Sequence, residues 1–117
     1  MTDAEKGSAA QGMLSLLPYF IDQTRIRLAE LEIHRQAILN HQNPSSAIKS
    51  ISEIAHKISG TADTFGFANL GALARELEDV HLESAFEYKE PAALIVYVES
   101  RITPVIKKMF KAFEEAL

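Results

Sequence analysis

The apolar residues between Pro44 and Phe65 recur at a spacing that gathers them on one side only if the segment is an α-helix. At about 100° per residue, Ile48, Ile51, Ile54, Ala55, Ile58, Ala62 and Phe65 share one sector. Such a stripe has to be buried against other elements, and the flanking segments repeat the same period. Between Pro18 and Leu39, residues Phe20, Ile21, Thr24, Leu28, Leu31, Ala37 and Ile38 fall mainly on one stripe, while Arg25, Arg27, Glu30 and Glu32 lie largely away from it. From Phe67 to Glu83 the stripe is Leu70, Leu73, Ala74, Leu77 and Val80, and the outer face carries Arg75, Glu76, Glu78 and Asp79. No strand alternation or internal repeat competes with this pattern. The expected class is all-α, an antiparallel up-down four-helix bundle with a short extra N-terminal helix.

Punctuation between the periodic segments sets the boundaries. Residues 1–8, "MTDAEKGS", are polar and unpatterned and are expected to be a flexible terminus, with 9–117 forming one domain. The short extra helix is Ala9 to Leu17, before Pro18. "NHQNP" ends the first long helix and supplies Asn43 as N-cap and Pro44 at the first position of the next. Gly66 separates two periodic segments as a left-handed C-cap glycine, and Gly71, near an apolar stripe, fits a close helix crossing. "ESAFEYKEP" makes the next connection, and Pro91 opens a last helical region to about Ala116. Pro104 within it implies either a kink or a division, with Thr103 capping the second part.

With 117 residues, 47% of them hydrophobic, the chain can bury one core. A net charge of −4, from 16 acids and 12 bases, offers no basic field for nucleic acid. The absence of cysteine excludes disulfides and thiolate metal sites. The apolar windows "MLSLLPYFI" and "AALIVYV" are far shorter than the roughly 20 residues of a membrane span. A cytoplasmic protein acting away from the membrane, as a monomer, is expected, and the opening methionine favours a free-standing protein.

One histidine stands out. His56 lies on the wheel opposite the apolar sector of its helix, and its helical neighbours are Ser52, Glu53, Ser59 and Gly60. Three of these are small. An exposed helical glycine costs about 1 kcal/mol relative to alanine, so Gly60 calls for a reason, and clearance for a macromolecule approaching His56 supplies one. A lone surface histidine is more often merely solvated, and on geometry alone that reading has the better odds.

The wider pattern shifts the balance. "AHKISGTADTFGFANLGALARELED" resembles the signature of the histidine phosphotransfer (HPt) family: a histidine, a glycine at +4, small residues, a second glycine at +10 and a leucine-rich helix ending in a Leu-Glu pair. These are His56, Gly60, Thr61 and Ala62, Gly66, then Leu70, Leu73, Leu77 and Glu78. The resemblance implies that His56 is phosphorylated and relays phosphate between aspartates of receiver domains, in response regulators and hybrid histidine kinases. It departs at +3, where the family often has lysine and this chain has Ser59. Lys57 becomes the phosphate partner, with Lys49 weaker, and Ser52, Ser59, Gly60 and Asp63 complete the phosphate- or partner-facing set.

Imidazole, with an ordinary pKa of about 6.5, offers a free ring nitrogen near neutral pH. The receiver would bring the phosphoaspartate, the Mg²⁺ and the charge-stabilising groups, so no cofactor is expected here. No nucleotide-binding glycine loop occurs, so a phosphocarrier without kinase activity of its own is expected. The alternative is a helical adaptor that binds a signalling partner through the same face without chemistry. A sensor-kinase dimerisation domain fits less well, because Lys57 stands where an acid is expected. His34, His41 and His81 lack metal-site spacing and read as solvated or edge residues. The acids of both outer faces read as solvated, with Glu78 alternatively bracing the bundle near His56, and Met13, Met109, Phe110 and Phe113 read as core or cap residues.

Overall fold

The structure, a computed structural model, describes residues 3–84 and 90–117, with side chains from residue 12 onward except that of Met13. Residues 1 and 2 of the terminal segment, and 85–89 of the "ESAFEYKEP" connection, lie outside the described residues, as does the Met13 side chain. Helix α1 spans Asp3–Leu39, α2 Pro44–Ala62, α3 Ala68–Arg75, α4 Val80–Glu83, α5 Pro91–Tyr97 and α6 Thr103–Ala116. The bundle has four layers: α1, α2, the α3–α4 pair and the α5–α6 pair. Helix α2 packs on α1, α3 and α4, while α6 packs on α3 and α1, closing the ring.

The expected stripes meet in the centre. Leu28, Leu31 and Ile38 of α1, Ile48, Ile51 and Ile58 of α2, and Leu70, Leu77, Leu94, Ile106 and Met109 are almost wholly buried. Phe113 joins the core and Phe110 packs partly buried against it. At one end, Phe20 stacks on Phe65 at 4.5 Å between centroids and meets Phe67 edge-on at 5.0 Å. This aromatic cluster pins the corner between α2 and α3 to α1.

Four local features differ from the sequence expectation. The stretch before Pro18 is helical but is not a separate helix: α1 runs through Pro18 without interruption and takes in residues from Asp3 on. Proline forfeits one backbone hydrogen bond, and because Pro18 is exposed, water can serve the carbonyl it leaves free. Asn43 precedes α2 as expected, but caps it by backbone. It adopts the left-handed conformation (φ 43°), its carbonyl accepts from Ala47 N–H at 3.0 Å, and its side chain makes no capping bond.

The segment expected as one helix from Phe67 to Glu83 is divided by a turn over residues 76–79. There the amides of Glu76, Leu77 and Glu78 bond three residues back, to Leu73, Ala74 and Arg75. Such tightened turns align side chains three apart, which lets Ala74, Leu77 and Val80 all face the core with no exposed surface. In the last helical region a five-residue π-turn, Val98–Ile102, joins α5 to α6, so helical structure continues from Pro91 to Ala116 without a break. Pro104 has no N–H, and the wider turn gives Thr103 N–H the Val98 carbonyl instead. Thr103 does not cap by side chain: its hydroxyl donates to Glu99 Oε1 at 2.8 Å and accepts from Arg35 Nη1 at 3.1 Å.

Gly66 is the expected left-handed cap. At φ 84° it lets Phe67 N–H reach the Ala62 carbonyl at 2.8 Å while its own N–H reaches Asp63 at 3.2 Å, a Schellman closure. Gly71 marks the expected close crossing: it is buried, and a Cβ there would collide with the Asp63 carboxylate and lie 3.5 Å from Ala62 Cβ. The carboxylate can swing aside, but Ala62 cannot. Gly71→Leu is therefore expected to destabilise the fold by about 1–3 kcal/mol in urea unfolding.

Arg35 ties α1 to the π-turn, donating to Glu32 at 2.6 and 2.8 Å and standing 3.3 Å from Glu99. Hydrogen bonding from Arg35 holds the Glu32 carboxyl below its ordinary value, against the opposing effect of burial. A depressed carboxyl pKa stabilises the fold above the unfolded value of about 4.3 and stops doing so as pH falls through the folded value. Glu32→Gln is therefore expected to lower stability in urea at about pH 6, with the difference from the parent shrinking towards about pH 3.

Candidate functional site

With the isoleucine stripe of α2 turned inward, His56 is carried to the opposite side, where its side chain is 79% exposed. It lines a shallow cleft with Lys57 and Glu53 of α2 and with Glu78, Asp79 and His81 across from them. The far wall exists because the chain turns at 76–79 and comes back alongside α2. That turn brings Glu78 Oε1 to 3.5 Å from His56 Nδ1, the ring nitrogen on the bundle side.

Two serines hold this wall in place. Ser59 Oγ hydrogen-bonds Glu78 Oε1 and also lies 2.9 Å from the His56 carbonyl oxygen. One carboxylate oxygen thus faces both the serine hydroxyl and the imidazole. Two turns before Ser59, Ser52 Oγ accepts the His81 backbone N–H at 3.2 Å and lies 3.0 Å from His81 Nδ1. Ser52 and Ser59 were expected to face an approaching partner, but both are buried, at 4% and 8%. On the wheel they border His56, yet they sit between its wet face and the apolar sector, and that flank is what α4 and the preceding turn cover.

The remaining expected positions divide. Gly60 is exposed, and a Cβ added there would meet nothing within 4 Å, so no packing contact requires a glycine. Lys57 is exposed and lines the cleft, whereas Lys49 is exposed outside its lining. Asp63 is exposed but engaged, 2.9 Å from Arg75 Nη1, which ties the end of α2 to α3.

Glu78 and His81 are the contributors that the sequence reading underrated, since it placed the first among solvated or bracing acids and the second among solvated or edge histidines. Glu76 and Asp79 are exposed as expected, but Glu78 and His81 are half-buried. Their three-residue separation puts them on one helical face, and that spacing was the available signal. His41 is exposed in the α1–α2 connection and His34 lies half-buried on α1, both outside the cleft. Among the described residues no group of three or more His, Asp or Glu is placed to hold a metal ion, and no helix is long and apolar enough to cross a membrane.

The arrangement suits nucleophilic chemistry. A carboxylate facing Nδ1 favours the tautomer that carries its proton there, leaving the Nε2 lone pair available. His56 is exposed, Gly60 leaves one flank open, and the carboxylate facing Nδ1 is itself held by a hydroxyl. No curated protein and no solved structure matches this chain. The family model of the Hpt domain does match, over residues 15–116. That span takes in all four layers of the bundle and both walls of the cleft, and the chain therefore belongs to the Hpt domain family, whose members carry phosphoryl groups in two-component phosphorelays.

Proposed function

We propose that this chain is a phosphocarrier that accepts a phosphoryl group from the phosphoaspartate of one receiver domain on Nε2 of His56 and passes it to the aspartate of another. The observation that carries the reading is the contact between Glu78 and His56 Nδ1, 3.5 Å apart, on the side of the ring facing the bundle. In the accepting step the Nε2 lone pair attacks phosphorus, the bond from phosphorus to the aspartyl oxygen breaks, and the aspartate leaves as a carboxylate. The ring gains positive charge as the N–P bond forms. A proton held on Nδ1 towards Glu78 lets the carboxylate stabilise that charge where it develops. The return step reverses these changes.

The receiver supplies the remaining machinery, including its Mg²⁺ and the groups that stabilise charge on the transferring phosphoryl. This chain contributes the nucleophile, its orientation and a docking face, and needs no cofactor of its own. Lys57 stands beside the histidine as a mobile cation for the phosphoryl oxygens. The receivers belong to response regulators and hybrid histidine kinases, and the chain works as a cytoplasmic monomer.

Incubation with a phosphorylated receiver domain tests the chemistry. His56→Gln is expected to abolish acid-labile phosphorylation while changing stability by no more than about 0.5 kcal/mol, since the side chain is exposed. Wild-type levels of phosphate on that variant would exclude His56 as the carrier, and an unphosphorylated parent that still binds the receiver would favour the adaptor reading.

Gly60 provides a second test. Gly60→Ala is expected to raise stability by up to about 1 kcal/mol through helix propensity and to retain transfer. Gly60→Gln is expected to fold, because the space around the position is open, but to slow transfer from the receiver sharply. Thermal unfolding and transfer rates measured on the same two variants decide the matter: transfer by Gly60→Gln at the parental rate would mean that the glycine is not there for access.

A further inference from the structure

The phosphoryl group that His56 is proposed to carry enters surroundings that are poor in positive charge. Among the described residues three carboxylates, Glu53, Glu78 and Asp79, line the cleft, against one cation, Lys57. The +3 position, Ser59, is buried and turned to Glu78, so it supplies no donor to the open side. A phosphoryl group carries up to two negative charges near neutral pH. Hydrogen-bond donors have to come from elsewhere on the cleft wall.

His81 is the side chain in position to provide one. Ser52 is buried and already accepts the His81 backbone N–H, so its hydroxyl proton needs an acceptor, and Nδ1 of His81 lies 3.0 Å away. Donation from Ser52 to Nδ1 satisfies the hydroxyl and sets the tautomer of the neutral ring, placing its proton on Nε2. The half-buried ring lines the same cleft as His56, and among the described residues no hydrogen bond engages its Nε2. The result is a fixed donor with no partner among the described residues.

We infer that His81 is a phosphoryl-binding residue: its Nε2–H, held in place by Ser52, hydrogen-bonds an oxygen of the phosphoryl group on His56. The inference rests on the proposed phosphorylation of His56. In this arrangement the cleft uses two imidazoles in different tautomers. His56 keeps its proton on Nδ1 and offers Nε2 as nucleophile, while His81 keeps Nδ1 as acceptor and offers Nε2–H as donor. Because the contact exists only in the phosphorylated state, it stabilises phosphohistidine relative to the phosphoaspartate of the receiver and shifts the transfer equilibrium towards this chain.

Two variants separate the donor from the serine contact. His81→Asn retains an acceptor near the Nδ1 position for Ser52 but has no group at Nε2, whereas His81→Gln restores an N–H near Nε2. The measurement is the equilibrium partition of phosphoryl between a phosphorylated receiver and the full chain. Loss of a charge-assisted hydrogen bond is expected to shift the partition of His81→Asn about tenfold towards the receiver, and His81→Gln is expected to stay close to the parent. On the parent itself, the nitrogen-coupled proton NMR signal of His81 Nε2–H is expected to move downfield and exchange more slowly with water after phosphorylation. A parental partition in His81→Asn, equal loss in both variants, or an unmoved Nε2–H signal in the phosphorylated parent would overturn the inference while leaving His56 as carrier. A parent that takes no phosphate on His56 would overturn both.

Discussion

Burial of the isoleucine face of α2 is the constraint on which the site depends. Ile48, Ile51 and Ile58 have no exposed surface, and each such side chain contributes about 1.5–3 kcal/mol by leaving water. Turning α2 by a single residue step would expose them together. The contact of exposed His56 with Glu78 cannot compete, since pairs of that kind are worth about 1 kcal/mol or less. The core therefore decides where the histidine points, and electrostatics can only adjust which of its nitrogens carries the proton.

The second wall is a consequence of a broken helix. The tightened turn over residues 76–79 keeps Leu77 and Val80 on one inward line, each with no exposed surface. The same turn swings Glu78 against Ser59 and brings His81 onto Ser52. Packing of the apolar side and construction of the polar side are thus one event. The serines fill an intermediate role: buried at the flank of α2, they convert a helix surface into a socket for the next element. Gly60 and Gly71 show opposite uses of a missing side chain, the one leaving open space beside the histidine and the other admitting α2 to close contact.

Much of this was legible in the chain itself. The 3.6-residue period named the core face of α2 and set His56 on the far side, because both follow from a rotation per residue that no partner alters. Gly66 as a left-handed cap and Gly71 as a close crossing were legible for a similar reason, since backbone conformation and the absence of Cβ act locally. Asn43 was placed correctly but for the wrong interaction, because side-chain capping and a left-handed backbone favour the same residue at the same position. Thr103 misled in the same way: its place before a proline suggested a cap, while Arg35 and Glu99, distant in sequence, had already engaged its hydroxyl.

What only the tertiary structure decided is the company that His56 keeps. Ser52 and Ser59 look like part of its exposed surround on a wheel, and a wheel reports the angle of a residue on its own helix but not which neighbour crosses that angle. The bonds that answer the question, Ser59 to Glu78 and Ser52 to His81, join residues 19 and 29 positions apart. They form because the turn at 76–79 folds back over one flank of α2, and that path is set by core burial in the bundle as a whole. The sequence determined that a histidine would stand exposed on a helical bundle. The packing of α3 and α4 determined the groups that face it, because hydrogen bonds across a cleft depend on distances that no local periodicity contains.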